Sequence, residues 1–311
     1  MPRQFLTRRV KLLASFCAIG LTTPWLSSAA NSLGSPLAWL IDLTTHWQWL
    51  YLAGLLFATP IAAFSSKRWA LLLLAAPLPW LTASEPIQAR HSPGQADQTL
   101  TIASANVHLN NQDIRPLQAW LETTHPDVVV LQEVSHAYAA GLASLRDYPY
   151  RLVVPKENPF GIAILSRTPL LEAQTVEGAG LEPRIEAKLE WQGQNINIIA
   201  FHPMPPISPE HHIARNQQIL DIAKQAMHSK SPTIVAGDMN ATPWSTAFDG
   251  LTNQGLRRVS GLTPSWPAIG RGIVGIPIDQ ILASGEWKQV STDVGPNLGS
   301  DHLPLLVRLA R

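Results

Sequence analysis

The chain has 311 residues, 46% hydrophobic and 14% charged, with 23 Lys and Arg against 22 Asp and Glu. That length allows one large domain or two smaller ones with ample chain for a core, and the lone Cys17 excludes an internal disulfide. Residues 1–90 hold 7 of the basic and 2 of the acidic side chains, leaving 16 against 20 in residues 91–311. A net-negative domain is no electrostatic magnet for nucleic acid, whose non-specific binding needs many phosphate-neutralising cations. This argues against tight DNA binding but leaves chemistry on a phosphodiester open.

No charged residue occurs from Leu12 to Ile41, from Leu43 to Ser66, or from Trp69 to Ser84. A membrane span needs roughly 20 mostly apolar residues, so residues 1–84 are expected to form a transmembrane region of three helices, at about 10–30, 47–64 and 68–84. The third is short and carries Pro77 and Pro79, and a buried soluble hairpin is the alternative for the last two. Arg3, Arg8, Arg9 and Lys11 precede the first span, Lys67 and Arg68 lie between the second and third, and the intervening loop holds Asp42 with no Lys or Arg. The positive-inside rule puts both basic groups in the cytoplasm, and three crossings put everything after Ser84 on the far side. Failure of the third to cross reverses that parity. A cleaved signal peptide is a rival reading of residues 1–30. Trp39, Trp47, Trp49, Trp69 and Trp80 suit interfacial anchoring of a lipid bilayer partner.

Residues 85–98, with Pro86, Pro93 and Gly94, read as a linker, and residues 99–311 as the catalytic-looking domain. Strands are predicted at Leu100–Val107, Asp127–Leu131, Arg151–Val154, Gly161–Leu165, Glu186–Trp191, Asn195–Phe201, Thr233–Ala236, Ile276–Leu282 and Leu303–Leu309. Helices are predicted at Arg115–Thr123 and at His211–His228, the second with Ile213, Ile219, Leu220, Ile222 and Ala223 as its apolar stripe. No internal repeat is visible. His211 and His212, about 100° apart on a helix, read as a solvated pair.

Polar residues able to do chemistry recur at these strand ends: Asn106, Glu133, His202, Asp238 with Asn240, Asp279, and Asp301 with His302. Loops at one sheet edge converge in α/β architectures, so distant residues can line one cleft. Each has a structural alternative as a helix cap, a core histidine or a buried partner of a backbone amide. Asp238 and Asn240, two apart beyond a buried strand, can aim an anion and an amide at one water, hydrated metal or phosphate, or form an Asx-turn.

The ordered motifs ASANV (103–107), LQEV (131–134), GIAILSR (161–167), AFHP (200–203), GDMNATPW (237–244), IDQIL (278–282) and SDHLPL (300–305) resemble the endonuclease/exonuclease/phosphatase superfamily, the DNase I-like enzymes. The resemblance spans residues 98–311, and with the N-terminal region the chain looks like bacterial inner-membrane members, which implies a multi-pass protein whose domain is periplasmic. It implies a four-layer α/β/β/α sandwich of two mixed β-sheets and a phosphoesterase site using Mg²⁺ or Mn²⁺. Matched positions imply Asn106, Glu133 and Asp301 as metal ligands and Asp238 as the residue that orients or deprotonates water. They also imply Asn240 on that water or a phosphoryl oxygen, and His302 oriented by Asp279. His202 matches the second histidine of nuclease-like and phosphodiesterase-like members, and Arg184 is a candidate phosphate contact or an edge-strand surface charge.

His108 stands where some members have an acid, and Glu157 or Asn158 is near the place of the acidic partner of the second histidine. Trp244 and Trp266 could stack on a base or sugar, or simply pack. The expected substrate is a phosphate ester, nucleic acid first and a lipid headgroup second, although no exposed apolar loop stands out to insert into lipid. A catalytically silent binding module is the remaining reading, and every expected position is filled. No protein partner is deducible.

Overall fold

In the computed structural model, which describes residues 2–84, 99–177 and 182–311, the chain forms two units. One comprises Met1–Ser84 together with Thr242–Asp249, and the other Glu85–Ala241 and Gly250–Arg311. The expected linker at 85–98 lies outside the described residues.

The larger unit is built on β1 (Leu100–Asn106), β2 (Val128–Gln132), β3 (Tyr150–Val154), β4 (Ile162–Ser166), β5 (Leu170–Glu177), β6 (Pro183–Trp191), β7 (Gln194–Ala200), β8 (Thr233–Asp238), β9 (Leu256–Arg258), β10 (Asp279–Ser284), β11 (Lys288–Val294) and β12 (Leu305–Ala310). They form two six-stranded sheets, β11-β12-β1-β2-β4-β3 and β5-β6-β7-β8-β10-β9. In each, one central pair is parallel, β1 with β2 and β7 with β8, and the other neighbours are antiparallel. A helix joins each parallel pair, α6 (Arg115–Thr124) in the first sheet and α8 (Pro209–His228) in the second, as a parallel crossover requires. The two sheets thus repeat one topology that the sequence does not display.

Pleat parity builds the layers. Leu100 and Ile102 of β1, Val128 and Val130 of β2, and Ile162 and Ile164 of β4 share one core with Ile185, Ile196, Ile198, Ile234 and Ile281 of the second sheet. Their odd-numbered neighbours Ala103, Ala105, Val129, Leu131, Ala163 and Leu165 pack against Leu117, Trp120 and Leu121 of α6 and Tyr138 of α7 (His136–Gly141). A one-residue slip would exchange the two faces. Each buried aliphatic side chain contributes about 1.5–3 kcal/mol, against at most about 1 kcal/mol for an exposed ion pair such as Lys188–Glu172, so these cores fix the register. This is the expected pair of mixed sheets with flanking helices.

Local signals set the ends of α8. Ser208 accepts from the His211 amide at 3.3 Å, Pro209 opens the helix, and Glu210 sits in its first turn. The helix therefore begins two residues earlier than its apolar stripe predicts. His212 is buried along that stripe with Arg215, Ile219, Ile222 and Ala223, which corrects the solvated-pair reading.

The smaller unit contains α1 (Pro2–Leu21), α2 (Thr23–Ser32), α3 (Ala38–Thr45), α4 (Gln48–Ala63) and α5 (Leu78–Thr82). No single helix among the described residues is long and apolar enough to cross a membrane, and Phe5–Leu21 with Thr23–Ser32 meets the test only as a pair bent by 49°. The expected continuous helix at 10–30 breaks at Thr22. There the Thr22 and Thr23 hydroxyls donate to Ile19 O and Gly20 O, both at 2.7 Å, and Pro24 enters the first turn of α2. The second expected helix matches α4. The third, 68–84, is corrected to a 3₁₀ run, Lys67–Ala75, followed by α5, because Pro77 and Pro79 interrupt it. Asp42, read as part of a loop, lies on α3.

Candidate active site

The site is assembled where the central parallel strands end. Asn106 closes β1, Glu133 follows β2, His202 lies two residues beyond β7, and Asp238 closes β8. Asp279 opens β10 directly opposite Asp238 in the antiparallel ladder, which brings two carboxylates to one point of the sheet. His302, in the turn leading to β12, closes the ring.

Close backbone approach and unusual backbone shape make this convergence possible. Gly237 has φ 154°, and a Cβ there would lie 1.9 Å from Phe201 O, so only glycine lets β8 approach the His202 strand end. A Cβ on Gly161 would meet Val134 O at 2.0 Å, which explains the glycine of GIAILSR beside the Glu133 turn. His108, Glu133 and Asn240 adopt φ of 66°, 59° and 49° without being glycine. Such left-handed backbone costs of order 1 kcal/mol or more per residue and persists where the surroundings hold it.

Asp238 is the hub. Its Oδ1 accepts from the Asn240 amide at 2.9 Å, and its Oδ2 lies 3.3 Å from Asn106 Nδ2, 3.6 Å from His202 Nε2 and 3.7 Å from His302 Nε2. Burial pushes the Asp238 carboxyl above the ordinary aspartate range. His302 and His202 oppose that shift and Asp279 adds to it. His302 Nδ1 pairs with Asp279 Oδ2 at 2.8 Å. Burial disfavours the charged imidazole, but Asp279 and Asp238 overcome it and push His302 up to about 10. The ring is held as an imidazolium, with Nε2 turned to Asp238.

Asn106 Nδ2 donates to Glu133 Oε1 at 2.9 Å, and its Oδ1 accepts from the His108 amide at 3.0 Å. Asn106 therefore bridges the carboxylates with its nitrogen and keeps one oxygen lone pair for an ion. Glu133 Oε2 accepts from the Leu109 amide at 2.9 Å, and His108 Nδ1 stands 3.8 Å from that oxygen and 3.3 Å from Asp301 Oδ1. Asp301 is steered by Trp266, whose Nε1 donates to Oδ2 at 3.0 Å.

Among the described residues, Asp238, Asp279 and His302 are the acid and histidine group close enough to share an ion. Within that group His302 Nδ1 and Asp279 Oδ2 are already paired with each other at 2.8 Å. The Glu133 and Asp301 side chains, 16% and 50% exposed, suit a hard cation that takes one or two carboxylates and retains several waters. These residues fit a divalent ion.

Other sequence candidates fall outside the cluster. The Arg184 Nε donates to Glu186 at 2.8 Å, two residues along the same face of β6, so this guanidinium is not brought to the other candidates. Glu157 faces His136 at 3.9 Å, and His202 Nδ1 is buried without a hydrogen-bond partner, beside the Phe160 ring at 5.7 Å. Neither Glu157 nor another acid meets His202 Nδ1 among the described residues, and the acid near this ring is Asp238, on Nε2. Trp244 is buried in the smaller unit, so its role is packing.

Two features escaped the sequence reading. Arg215, fully buried on α8, donates from Nη1 to Asn240 O at 2.6 Å and from Nε and Nη2 to Asn216 Oδ1 at 3.0 and 2.9 Å. The available signal was a cation on the apolar stripe of that helix. The other is an apolar tip beside Asp301, in which Ile269, Ile273 and Val274 are 73%, 83% and 54% exposed. The Ala268 amide ties its base to Asp301 O at 2.7 Å.

Comparison with known proteins gives the same answer as the geometry. None of the functionally curated proteins matches the chain. Among solved structures, humanised Danio rerio TDP2 aligns over 68% of this chain and 99% of its own, at 17% identity and TM-score 0.57. An endonuclease/exonuclease/phosphatase from Beutenbergia cavernae covers 68% and 71% at 19% identity and TM-score 0.57. The human nocturnin catalytic domain, with bound sulfate, covers 68% and 94% at 19% and TM-score 0.53. At such identities these likenesses establish the fold alone. The family model described as Endonuclease/Exonuclease/phosphatase matches residues 103–302, from the strand that ends in Asn106 to the histidine paired with Asp279. The chain belongs to the endonuclease/exonuclease/phosphatase family.

Proposed function

We propose that the protein is a membrane-anchored, divalent-metal-dependent phosphodiesterase. The observation that carries this reading is the pairing of a buried, basic Asp238 with a protonated His302 across 3.7 Å. A carboxylate more basic than usual accepts a proton from water, and a fixed imidazolium neutralises charge building on a phosphoryl group. Asp279 holds the His302 ring in orientation. His202, with Nε2 3.6 Å from Asp238 Oδ2 and Nδ1 without a hydrogen-bond partner, would serve the leaving group. Asn240, its Nδ2 anchored to Pro203 O at 3.0 Å, borders the water that Asp238 would orient.

Glu133 and Asp301, with the remaining lone pair of Asn106, would hold Mg²⁺ or Mn²⁺. When bound, that ion supplies Lewis-acid polarisation of a phosphoryl oxygen. Nucleic acid leads as substrate, because a TDP2 of the same fold has been solved with a single-stranded DNA product. A phospholipid phosphodiester is the second reading, favoured by the exposed Ile269, Ile273 and Val274 beside Asp301. The bent α1–α2 pair, α4 and the apolar 68–84 segment would anchor the chain in the bacterial inner membrane, three crossings that would leave the catalytic unit periplasmic.

The test is hydrolysis by the purified full chain with Mg²⁺, Mn²⁺ or EDTA, on single- and double-stranded DNA, RNA, phospholipid vesicles and phosphomonoesters. Metal-dependent diester cleavage lost in Asp238→Ala and His302→Ala supports the proposal, and the preferred substrate chooses between the readings. A folded chain that binds metal and cleaves no diester overturns it. Reporter fusions after Ser84 that are active only in the cytoplasm would overturn the topology.

A further inference from the structure

The helical unit contains eight residues remote from it in sequence, Thr242–Asp249. They begin with the last three residues of GDMNATPW, and Thr242 lies two residues after Asn240.

The unit holds this strip along its length. The carboxylate of Asp42, fully buried on α3, accepts at Oδ1 from the Thr246 amide at 2.8 Å, the Thr246 hydroxyl at 3.0 Å and the Ser27 hydroxyl at 3.1 Å. Its Oδ2 accepts from the Ser245 hydroxyl at 2.8 Å. His46 Nδ1 pairs with the Thr242 hydroxyl at 2.9 Å, Trp244 Nε1 donates to Pro79 O at 2.7 Å, and the Ser84 amide donates to Pro243 O at 2.8 Å. Trp49 stacks edge-on against both Trp244 and Trp80, at 5.5 and 5.2 Å. Ser28 meets Asp249 at the far end at 2.8 Å.

Placing a carboxylate among apolar helices is costly unless its oxygens are hydrogen-bonded, and hydrogen bonds to an ionised acceptor are among the stronger ones. Asp42 recovers that cost largely from donors of the strip. Asn240 is already committed, with left-handed φ 49°, its backbone carbonyl accepting from Arg215 and its side-chain Nδ2 donating to Pro203 O. Ala241 alone separates Asn240 from Thr242, and each residue spans at most about 3.6 Å, so a large displacement of the strip is passed on to Asn240.

We propose that Asp42 is a positioning residue for the catalytic loop Asp238–Asn240, acting through Thr242–Asp249, so that the N-terminal helices set the geometry of the site. The turnover readout rests on the phosphodiesterase reading; the exchange readout below does not.

The experiment compares full-length wild type, Asp42→Ala, Asp42→Asn and the pair Ser245→Ala with Thr246→Val in detergent micelles. Amide hydrogen exchange is followed in peptides covering 233–241 and, as a control, 100–106. Turnover of bis(p-nitrophenyl) phosphate is measured with saturating Mn²⁺.

Asp42→Ala is expected to accelerate exchange at 238–241 about tenfold or more with residues 100–106 unchanged, and to lower kcat about a hundredfold with KM within about threefold. Asp42→Asn keeps the Oδ1 acceptor of three donors and should recover most of both. Should Asp42→Ala fail to fold, the Ser245 and Thr246 pair decides by the same two readouts. Unchanged exchange at 238–241 in a folded variant overturns the proposal, as does acceleration spread equally over both peptides. Wild type that turns over no diester defeats the phosphodiesterase reading instead, and the exchange pattern alone then judges Asp42.

Discussion

The two sheets share one strand order and one pattern of parallel and antiparallel pairs, yet their central strand ends carry different chemistry. In the first, β1 ends in the buried Asn106 and β2 leads to the partly exposed Glu133, oxygen-bearing groups suited to a hard cation. In the second, β7 and β8 lead to His202 and Asp238, buried groups suited to moving protons. Topology supplies two equivalent slots, and under the proposed reaction the residues in them would divide the labour. Ion binding and proton handling would then be separable, which mutation can test.

The largest effect belongs to the second sheet. Asp238→Asn should lower kcat by about 10³-fold or more while leaving metal affinity within about threefold, as measured by calorimetry beside steady-state kinetics. Metal binding lost together with turnover would break the division. Asp279→Asn removes the anion that keeps His302 charged and should cost about 10²-fold in kcat, with the His302 ring proton exchanging with the bulk near neutral pH when followed by NMR. Glu133→Gln strikes the first sheet, where an affinity loss of about 10- to 100-fold and turnover partly restored at high metal concentration are expected. Turnover that stays flat in metal would place Glu133 with the proton machinery instead.

The last effect is on stability against pH. His302 is raised from the usual 6.5 to about 10 by folding, so its contribution to stability is fully present below pH 6.5 and is lost as pH rises through about 10. Urea unfolding between pH 6.5 and 10 should show wild type losing stability relative to Asp279→Asn, and parallel curves would refute the assigned cause.

The buried central strands were readable in the sequence because each is a short apolar run, as in DVVVL (127–131), that ends in a polar residue. The unread strands β5, β9 and β11 are sheet edges, where one side meets solvent and the apolar signal thins; β5 is exposed along most of its length. Site residues were legible as motifs, while their partners were not. Nothing in the sequence says that Arg215 holds Asn240 or that Arg184 turns to Glu186, since these depend on which face of a helix or strand is presented across the fold. The exposed Ile269 and Ile273 were missed because glycines at 270, 272 and 275 break any periodicity around them. The helical breaks at Thr22 and Pro77 show local chemistry overriding a hydropathy average.

The left-handed backbone at His108, Glu133 and Asn240 bears on how this protein could be engineered. Glycine accepts that conformation freely, so a search for heat-resistant variants is expected to recover glycine at 133 or 240, positions whose side chains the proposed reaction uses. Selection for durability and selection for turnover would pull in opposite directions at the same residues.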